Sequence, residues 1–353
     1  MGSPSKLSAV VGERLLASPW LRRLGRISFL GTLDYHPQSQ RSTSRLDHSL
    51  GVAELGRRLC ADLEVPAELT RPFVAACLLH DIGHFPLSHA AEPGFARALG
   101  VAHHEVSEWI IRGNGAIPTA RSLRPDLEAA GIDPELCWGL ITGECDDPRL
   151  RPLADVMKAP INLDTLEGIV RAARSFKIRA LRLPPRLFAG HGGEVWLRPE
   201  ALPVIDRFWT LKDRVYGEVI TLPSNILCEA GLSSAVAERF GPAIFAAFDR
   251  FDDAALAPLV ADQVARSGLD RGDDERFAFL PRSDHDALLR RARKRYYVDR
   301  GALADEPGLP LRRWSERYRH ERQVMVLVPR RPSDQLTLPG FDRSLAAVEA
   351  PEL

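Results

Sequence analysis

The stretch CLLHDIGHFPLSH at residues 77–89 places three histidines and an aspartate among residues that are almost all apolar, Gly or Pro. A buried imidazole needs a partner for each ring nitrogen, and neutral imidazoles with carboxylates are typical ligands of divalent metals. Six of the ten histidines of the chain lie between residues 48 and 104, and they are His48, His80, His84, His89, His103 and His104. This density of imidazoles indicates a metal centre.

The dipeptide His80-Asp81 is the strongest ligand candidate, because it ends a predicted buried helix and directs two neighbouring ligands at one ion. His84 follows one turn later, where i and i+4 side chains meet if the helix continues. His48 lies on the apolar face of the preceding predicted helix, and Asp164 lies at the start of a later one. The alternative for Asp164 is a solvated carboxylate that is favoured by the helix dipole. The alternative for any single histidine is a buried core residue whose ring nitrogens are hydrogen-bonded.

Hydrophobic periodicity predicts a mainly helical chain that positions these residues. RLFAGHGGEVWL at 186–197 predicts two short strands around a Gly-rich turn, and QVMVLV at 323–328 predicts a short strand. The segments predicted as helices are 46–63, 71–82, 160–176, about 201–221, and 235–300 with a break at 268–275.

Composition is that of an ordinary globular protein, with 45% apolar and 27% charged residues among 353. Because the net charge is zero, no bulk attraction to nucleic acid or to an anionic membrane is expected. The five cysteines show no CxxC spacing, which is typical of reduced thiols in a cytosolic protein. Without an apolar run of membrane-spanning length or a signal-peptide core, we expect a cytoplasmic protein that contacts no membrane.

The ordered residues His48, His80-Asp81 and Asp164 match the H…HD…D signature of the HD-domain metal-dependent phosphohydrolase superfamily. RLDHSLGVAELG at 45–56 and LLHDIGHFPLSH at 78–89 closely resemble its deoxynucleoside triphosphate triphosphohydrolase branch. The resemblance extends over about 20–230. It implies a mainly α fold, with a helical HD core, a small β-hairpin and a helical C-terminal extension.

We divide the chain accordingly into three regions. Residues 1–232 form the predicted HD core, with the signature at 45–170. Residues 233–304 form a helical C-terminal subdomain. Residues 305–353 form a segment rich in Pro and charge that is partly extended or disordered.

The resemblance implies one divalent ion held by the four signature residues, with Mn, Mg, Zn, Fe and Ni not distinguished. Arg45 matches a phosphate-contacting arginine, whereas a surface arginine is its alternative reading. His84 and His89 match positions that contact phosphate or catalyse, and Glu92 matches an acidic residue that orients the histidines. His104 matches a candidate general acid, while the adjacent His103 is ambiguous.

Two substrate-binding positions after Asp164 depart from the family, and a third has no clear counterpart. Thr165 stands where a phosphate-binding lysine is expected, and it supplies no cation. Gly168 replaces a tyrosine near the sugar, and Lys212 or Leu211 falls where a further arginine is expected. These changes predict hydrolysis of a nucleotide phosphoester with relaxed substrate preference.

Two alternatives remain at this point. A second ion bound by two of His84, His89, His103 and His104 would indicate a binuclear phosphodiesterase or oxygenase. A non-catalytic, nucleotide-sensing HD module is the other. In each case the expected partner is a small nucleotide or phosphoester, with no strong nucleic-acid signal, and we expect a homo-oligomer.

Overall fold

The computed structural model describes residues 4–40, 42–159, 161–184, 186–191, 193–274, 277–281, 289–298, 309–310 and 318–329. Most of this part of the chain is helical, as predicted. The α-helices are α1 Pro4–Val11, α2 Glu13–Leu16, α3 Pro19–Leu24, α4 Arg45–Asp62, α5 Ala67–Leu79, α6 Glu92–Leu99, α7 His103–Arg112, α8 Arg124–Ala129, α9 Pro134–Thr142, α10 Arg151–Lys158, α11 Leu163–Ser175, α12 Leu202–Val215, α13 Pro223–Arg239 and α14 Ala257–Ser267.

Helices α4 and α5 pack against each other at the centre of the fold. A capping box formed by Ser44 and Asp47 fixes the start of α4, so that His48 enters the core within the first turn. Helix α5 is buried along nearly its whole C-terminal half, from Pro72 to Leu79, because every residue there is apolar. The chain leaves this buried helix directly into His80-Asp81.

The predicted hairpin is present, with β1 Phe188–His191 antiparallel to β2 Glu194–Leu197. A short strand, β5 Leu309–Pro310, pairs with β2. A second antiparallel sheet has the order β3-β6-β4, and its strands are β3 Phe277–Pro281, β4 Leu289–Val298 and β6 Tyr318–Pro329. The strand predicted at 323–328 is therefore confirmed within β6.

The predicted C-terminal regions need two corrections. The boundary at residue 232 falls inside α13, and the helical run ends near residue 271. Residues 277–281 and 289–298 are strands because their backbones pair with β6, a long-range contact that local periodicity does not report. Outside β5 and β6, the segment 305–353 lies outside the described residues.

Two 3₁₀ helices, Pro242–Arg250 and Asp253–Leu256, follow α13. They bury Phe245 and Phe248 in the same core as α4 and α5. Within the described residues no single helix is long and apolar enough to cross a membrane; the bent pair 199–220 and 223–239 meets that test only in combination.

Candidate metal centre and histidine cluster

The four predicted metal ligands converge on one point. The Oδ1 atom of Asp164 lies 3.0 Å from Nε2 of His48 and 3.7 Å from Nε2 of His80. The Oδ2 atom of Asp81 lies 3.6 Å and 3.5 Å from the same two nitrogens. Ligand atoms about 2.1 Å from a common ion are separated from each other by roughly 3.0–3.4 Å, so the spacing fits one divalent cation.

The unpartnered nitrogens of this centre support the same conclusion. Nδ1 of His80 lies 2.9 Å from the carbonyl oxygen of Cys77, so this nitrogen carries the proton and Nε2 presents its lone pair. The buried Nε2 atoms of His48 and His80 make no hydrogen bond among the described residues. Burial alone would lower the pKa of His80, but Asp81 and Asp164 raise it to about 9. The buried Asp81 and the half-exposed Asp164 bring two carboxylates to one point, which demands a cation, either a proton or a metal.

Glu167 contacts a candidate metal ligand, a partnership that the sequence analysis did not predict. Its Oε2 lies 2.7 Å from Nδ1 of His48, which orients that imidazole and leaves Nε2 toward the centre. Arg171 in turn binds Glu167 through Nε and Nη2. The signal was available, because Glu167 lies one helical turn after Asp164.

We expect Glu167→Gln to weaken metal binding by about 10- to 100-fold, because such outer-shell partners fix the orientation and basicity of a ligating histidine. Isothermal titration of metal-free protein with Mn²⁺ measures this loss. Glu54→Gln is the matched control. Like Glu167, Glu54 is a helical glutamate that binds arginine, here Arg57 and Arg58, but among the described contacts it touches no candidate metal ligand. Equal Mn²⁺ affinity in both variants would show that Glu167 does not support metal binding.

Arg45 is buried beside the centre, so its alternative reading as a surface residue is wrong. Its Nη1 donates to Oδ2 of Asp81 over 2.7 Å and its Nε donates to Oγ of Ser88 over 2.6 Å. The guanidinium also lies over the ring of Phe29, with its Cζ 4.8 Å from the ring centroid. The Arg45 guanidinium therefore lies beside the metal position. Contact between Arg45 and a substrate phosphate stays a prediction.

A second cluster lies next to the metal centre. One oxygen of Glu92 lies 2.9 Å from Nδ1 of His89, and its other oxygen bonds Nδ1 of His103. The His84 ring stacks on that of His103 with centroids 4.0 Å apart, and Nε2 of His84 lies 3.3 Å from Oδ1 of Asp81. Burial and then the charge of Arg45 lower the pKa of His84 well below its usual value. His84 therefore connects the two clusters as a neutral imidazole.

Close packing at Gly83 brings His103 into this cluster. A Cβ at Gly83 would lie 2.3 Å from the carbonyl oxygen of His103 and from the amide nitrogen of Ser107. The Gly83 amide donates to Oγ of Ser107 over 2.9 Å. Helix α7 can approach the chain after His80-Asp81 only because residue 83 has no side chain.

Glu92 pairs with His103, which the sequence left ambiguous, and among the described contacts it does not pair with His104. His104 is exposed, with its ring 4.0 Å from that of His103. Partial desolvation and then the neighbouring His103 lower the pKa of His104 to about 4, so His104 is neutral near pH 7. The general-acid role of His104 stays a prediction, and this geometry favours His103 for it.

The departing positions also have defined surroundings. Asn162 caps the start of α11, because its Oδ1 accepts from the Thr165 amide. A Cβ at Gly168 would lie 3.4 Å from Cζ of Phe29, so a ring does adjoin this position, supplied by a different part of the chain. Nζ of Lys212 lies 5.3 Å from the ring centroid of Trp209, on a helix that packs against α11.

Comparison with known proteins agrees with this geometry. Residues 45–129, which include three of the four candidate metal ligands, match the family model of the HD domain. Over these residues the chain is similar to an HD domain. The fourth candidate ligand, Asp164, lies beyond the matched residues and reaches the same point through α11.

Curated relatives of this chain include an uncharacterized protein of Mycoplasma pneumoniae, 27% identical over 62% of this chain and 53% of that protein. A deoxyguanosinetriphosphate triphosphohydrolase-like protein of Bifidobacterium longum is 38% identical over 38% of this chain and 28% of that protein. The chain thus spans about half the length, or less, of these relatives.

Solved structures share the fold of this chain over most of its length. A hypothetical protein from Aquifex aeolicus aligns with a TM-score of 0.63 at 18% identity, covering 91% of this chain and 92% of that one. A phosphohydrolase from Bacteroides thetaiotaomicron aligns with a TM-score of 0.58 at 16% identity, covering 90% and 94%. At these identities the likeness shows the fold.

Proposed function

We propose that this protein is a metal-dependent phosphohydrolase that cleaves a phosphoester of a nucleotide. The observation that carries the proposal is the 3.3 Å contact between Asp81 and His84, which joins a metal centre to a His–Glu–His cluster. A metal position next to candidate proton-transfer groups is the arrangement that phosphoester hydrolysis requires. The name of the Bifidobacterium relative supports the same class of reaction.

A divalent ion held by His48, His80, Asp81 and Asp164 would supply Lewis acidity toward a phosphate oxygen. Arg45 adds a fixed positive charge beside it. In the neighbouring cluster, burial would raise the pKa of Glu92, but its bonds to His103 and His89 lower it, so Glu92 stays ionised.

The ionised Glu92 orients both imidazoles by bonding their Nδ1 atoms, which leaves each Nε2 for other partners. A histidine held in this way can give a proton to the leaving oxygen of a phosphoester. His103 and His89 are therefore the proton-transfer candidates of the proposed reaction.

We expect relaxed substrate preference, because Thr165 supplies no cation for a triphosphate chain and Gly168 supplies no side chain for the sugar. Loss of one charge-assisted hydrogen bond of about 1.5–3 kcal/mol weakens triphosphate binding by roughly 10- to 100-fold. Phosphate release from mono- and triphosphates, in ribo and deoxy forms with Mn²⁺ present, tests this. Tight cleavage of deoxynucleoside triphosphates alone, releasing tripolyphosphate, would contradict it.

A second candidate is a binuclear phosphodiesterase or oxygenase. Ligand atoms of His84, His89, Glu92 and His103 all lie within 4.8 Å of one another, which is close enough to hold a second ion. Two equivalents of bound metal would favour this candidate, whereas one equivalent favours the mononuclear hydrolase. We also propose a cytosolic location, supported by the five free, buried cysteines, and a homo-oligomeric state.

A further inference from the structure

The loop that follows the HD motif has an unfavourable backbone conformation. Leu87 and Ser88 are consecutive non-glycine residues with φ angles of 58° and 55°. Side chains with a Cβ rarely adopt this left-handed region, so surrounding contacts must hold the loop. The neighbouring Gly31 permits a close approach, because a Cβ there would lie 2.5 Å from the carbonyl oxygen of Leu87.

One carboxylate from the C-terminal part of the chain holds this loop. Oδ1 of Asp253 accepts from the Leu87 amide over 2.7 Å, and Oδ2 accepts from the Ser28 amide over 2.7 Å. Asp253 is the first residue of a 3₁₀ helix and lies beyond the 45–129 region of the HD domain. It therefore ties two loops of the core to a distant segment.

From this loop a chain of hydrogen bonds reaches a metal ligand. Oγ of Ser88 donates to the carbonyl oxygen of Ser28 over 2.5 Å and accepts from Nε of Arg45 over 2.6 Å. Arg45 then donates to Asp81 over 2.7 Å. The position of Asp81 thus depends on Ser88, and that of Ser88 depends on Asp253.

A second contact leads from the same C-terminal segment to the histidine cluster. The fully buried Arg23 donates through Nε to the carbonyl oxygen of Phe251 over 2.7 Å. Through Nη2 it donates to the carbonyl oxygen of His84 over 2.6 Å. Residues 251–253 therefore support both sides of the centre.

We propose that Asp253 is a positioning residue that sets the metal affinity of the centre through Ser88 and Arg45. The C-terminal segment is then part of the metal centre, and residues 45–129 alone do not complete the metal centre. The proposal concerns metal binding, so it does not depend on which substrate is hydrolysed.

The test compares Mn²⁺ binding to the metal-free full chain by isothermal titration in Asp253→Asn and Asp252→Asn. Asp252 is the matched control, because it lies in the same turn, binds Arg26 and caps Ala254, but makes no described contact with the Leu87 loop. Asp253→Asn should raise the Kd for Mn²⁺ by about 10-fold, the lower end of the effect seen when a residue that supports a metal ligand is changed. Asp252→Asn should leave the Kd within about twofold of wild type. Comparable Mn²⁺ affinity in both folded variants would overturn the proposal.

Ser88→Ala interrupts the same pathway without touching Asp253, and it carries the test if Asp253→Asn does not fold. It should raise the Kd for Mn²⁺ similarly, and the double variant should show no further increase. Effects that multiply in the double variant, or wild-type affinity in Ser88→Ala, would refute the pathway. If wild type binds Mn²⁺ tightly but hydrolyses no phosphoester, the proposed function fails while this proposal stands.

Discussion

Asp81→Asn should abolish metal binding and, with it, most of the hydrolysis. Asp81 contributes a negative charge within 3.6 Å of Nε2 of both His48 and His80, and Arg45 also binds it. Metal catalysis of this kind contributes several kcal/mol, and each 1.36 kcal/mol is a factor of ten, so turnover should fall by about 10³-fold. Metal content by elemental analysis and phosphate release measure the two losses.

Asn is preferred to Ala at this position because Arg45 is buried against Asp81. Removing one partner of a buried ion pair destabilises a protein by about 3–5 kcal/mol, and the amide oxygen of Asn keeps a hydrogen-bond acceptor there. Thermal unfolding serves as the control for folding. A folded Asp81→Asn protein that retains stoichiometric metal would exclude Asp81 as a ligand.

Glu92→Gln should reduce turnover by about 10²- to 10⁴-fold while the metal stays bound, the range that general acid–base groups contribute. The amide cannot accept from both His89 and His103 as the carboxylate does, so the orientation of both rings is lost. Turnover of each variant at saturating Mn²⁺ measures the effect. Glu105→Gln is the matched control, because Glu105 caps the Ala102 amide without touching a histidine in the described contacts.

The same assay separates the two adjacent histidines. His103→Gln should reproduce the loss seen in Glu92→Gln, whereas His104→Gln should reduce turnover less than about tenfold. The reverse order would restore the role that the sequence motif assigns to His104. Loss of one of two metal equivalents in Glu92→Gln would favour the binuclear candidate.

Much of the fold could be predicted because helices α4, α5 and α11 carry their signals locally. Ser44 and Asp47 cap α4, and the apolar run of α5 identifies it as a buried helix. The strands β3 and β4 could not be predicted, because their pairing with β6 joins segments far apart in sequence. The apolar residues Leu289, Ala292 and Tyr296 recur at helical spacing, so this segment resembles a helix when the partner strand is unknown.

The candidate metal ligands could be proposed from residue type and spacing, but their supporting partners only partly so. The sequence pointed to His48, His80, Asp81 and Asp164. It did not point to Glu167, since a glutamate one turn before an arginine resembles a solvated pair. The choice between His103 and His104 required coordinates, because it depends on which ring faces Glu92. Asp253 belongs to no recognisable sequence motif, so its contact with the Leu87 and Ser28 amides became evident only from the structure.

The central claim is that one metal ion at His48, His80, Asp81 and Asp164 supports phosphoester hydrolysis. Titrating metal-free protein with Mn²⁺ while following phosphate release from a nucleotide substrate tests it most directly. We predict that activity rises linearly to one equivalent of Mn²⁺ and then stays constant. A requirement for a second equivalent, or bound Mn²⁺ without any phosphate release, would contradict this account.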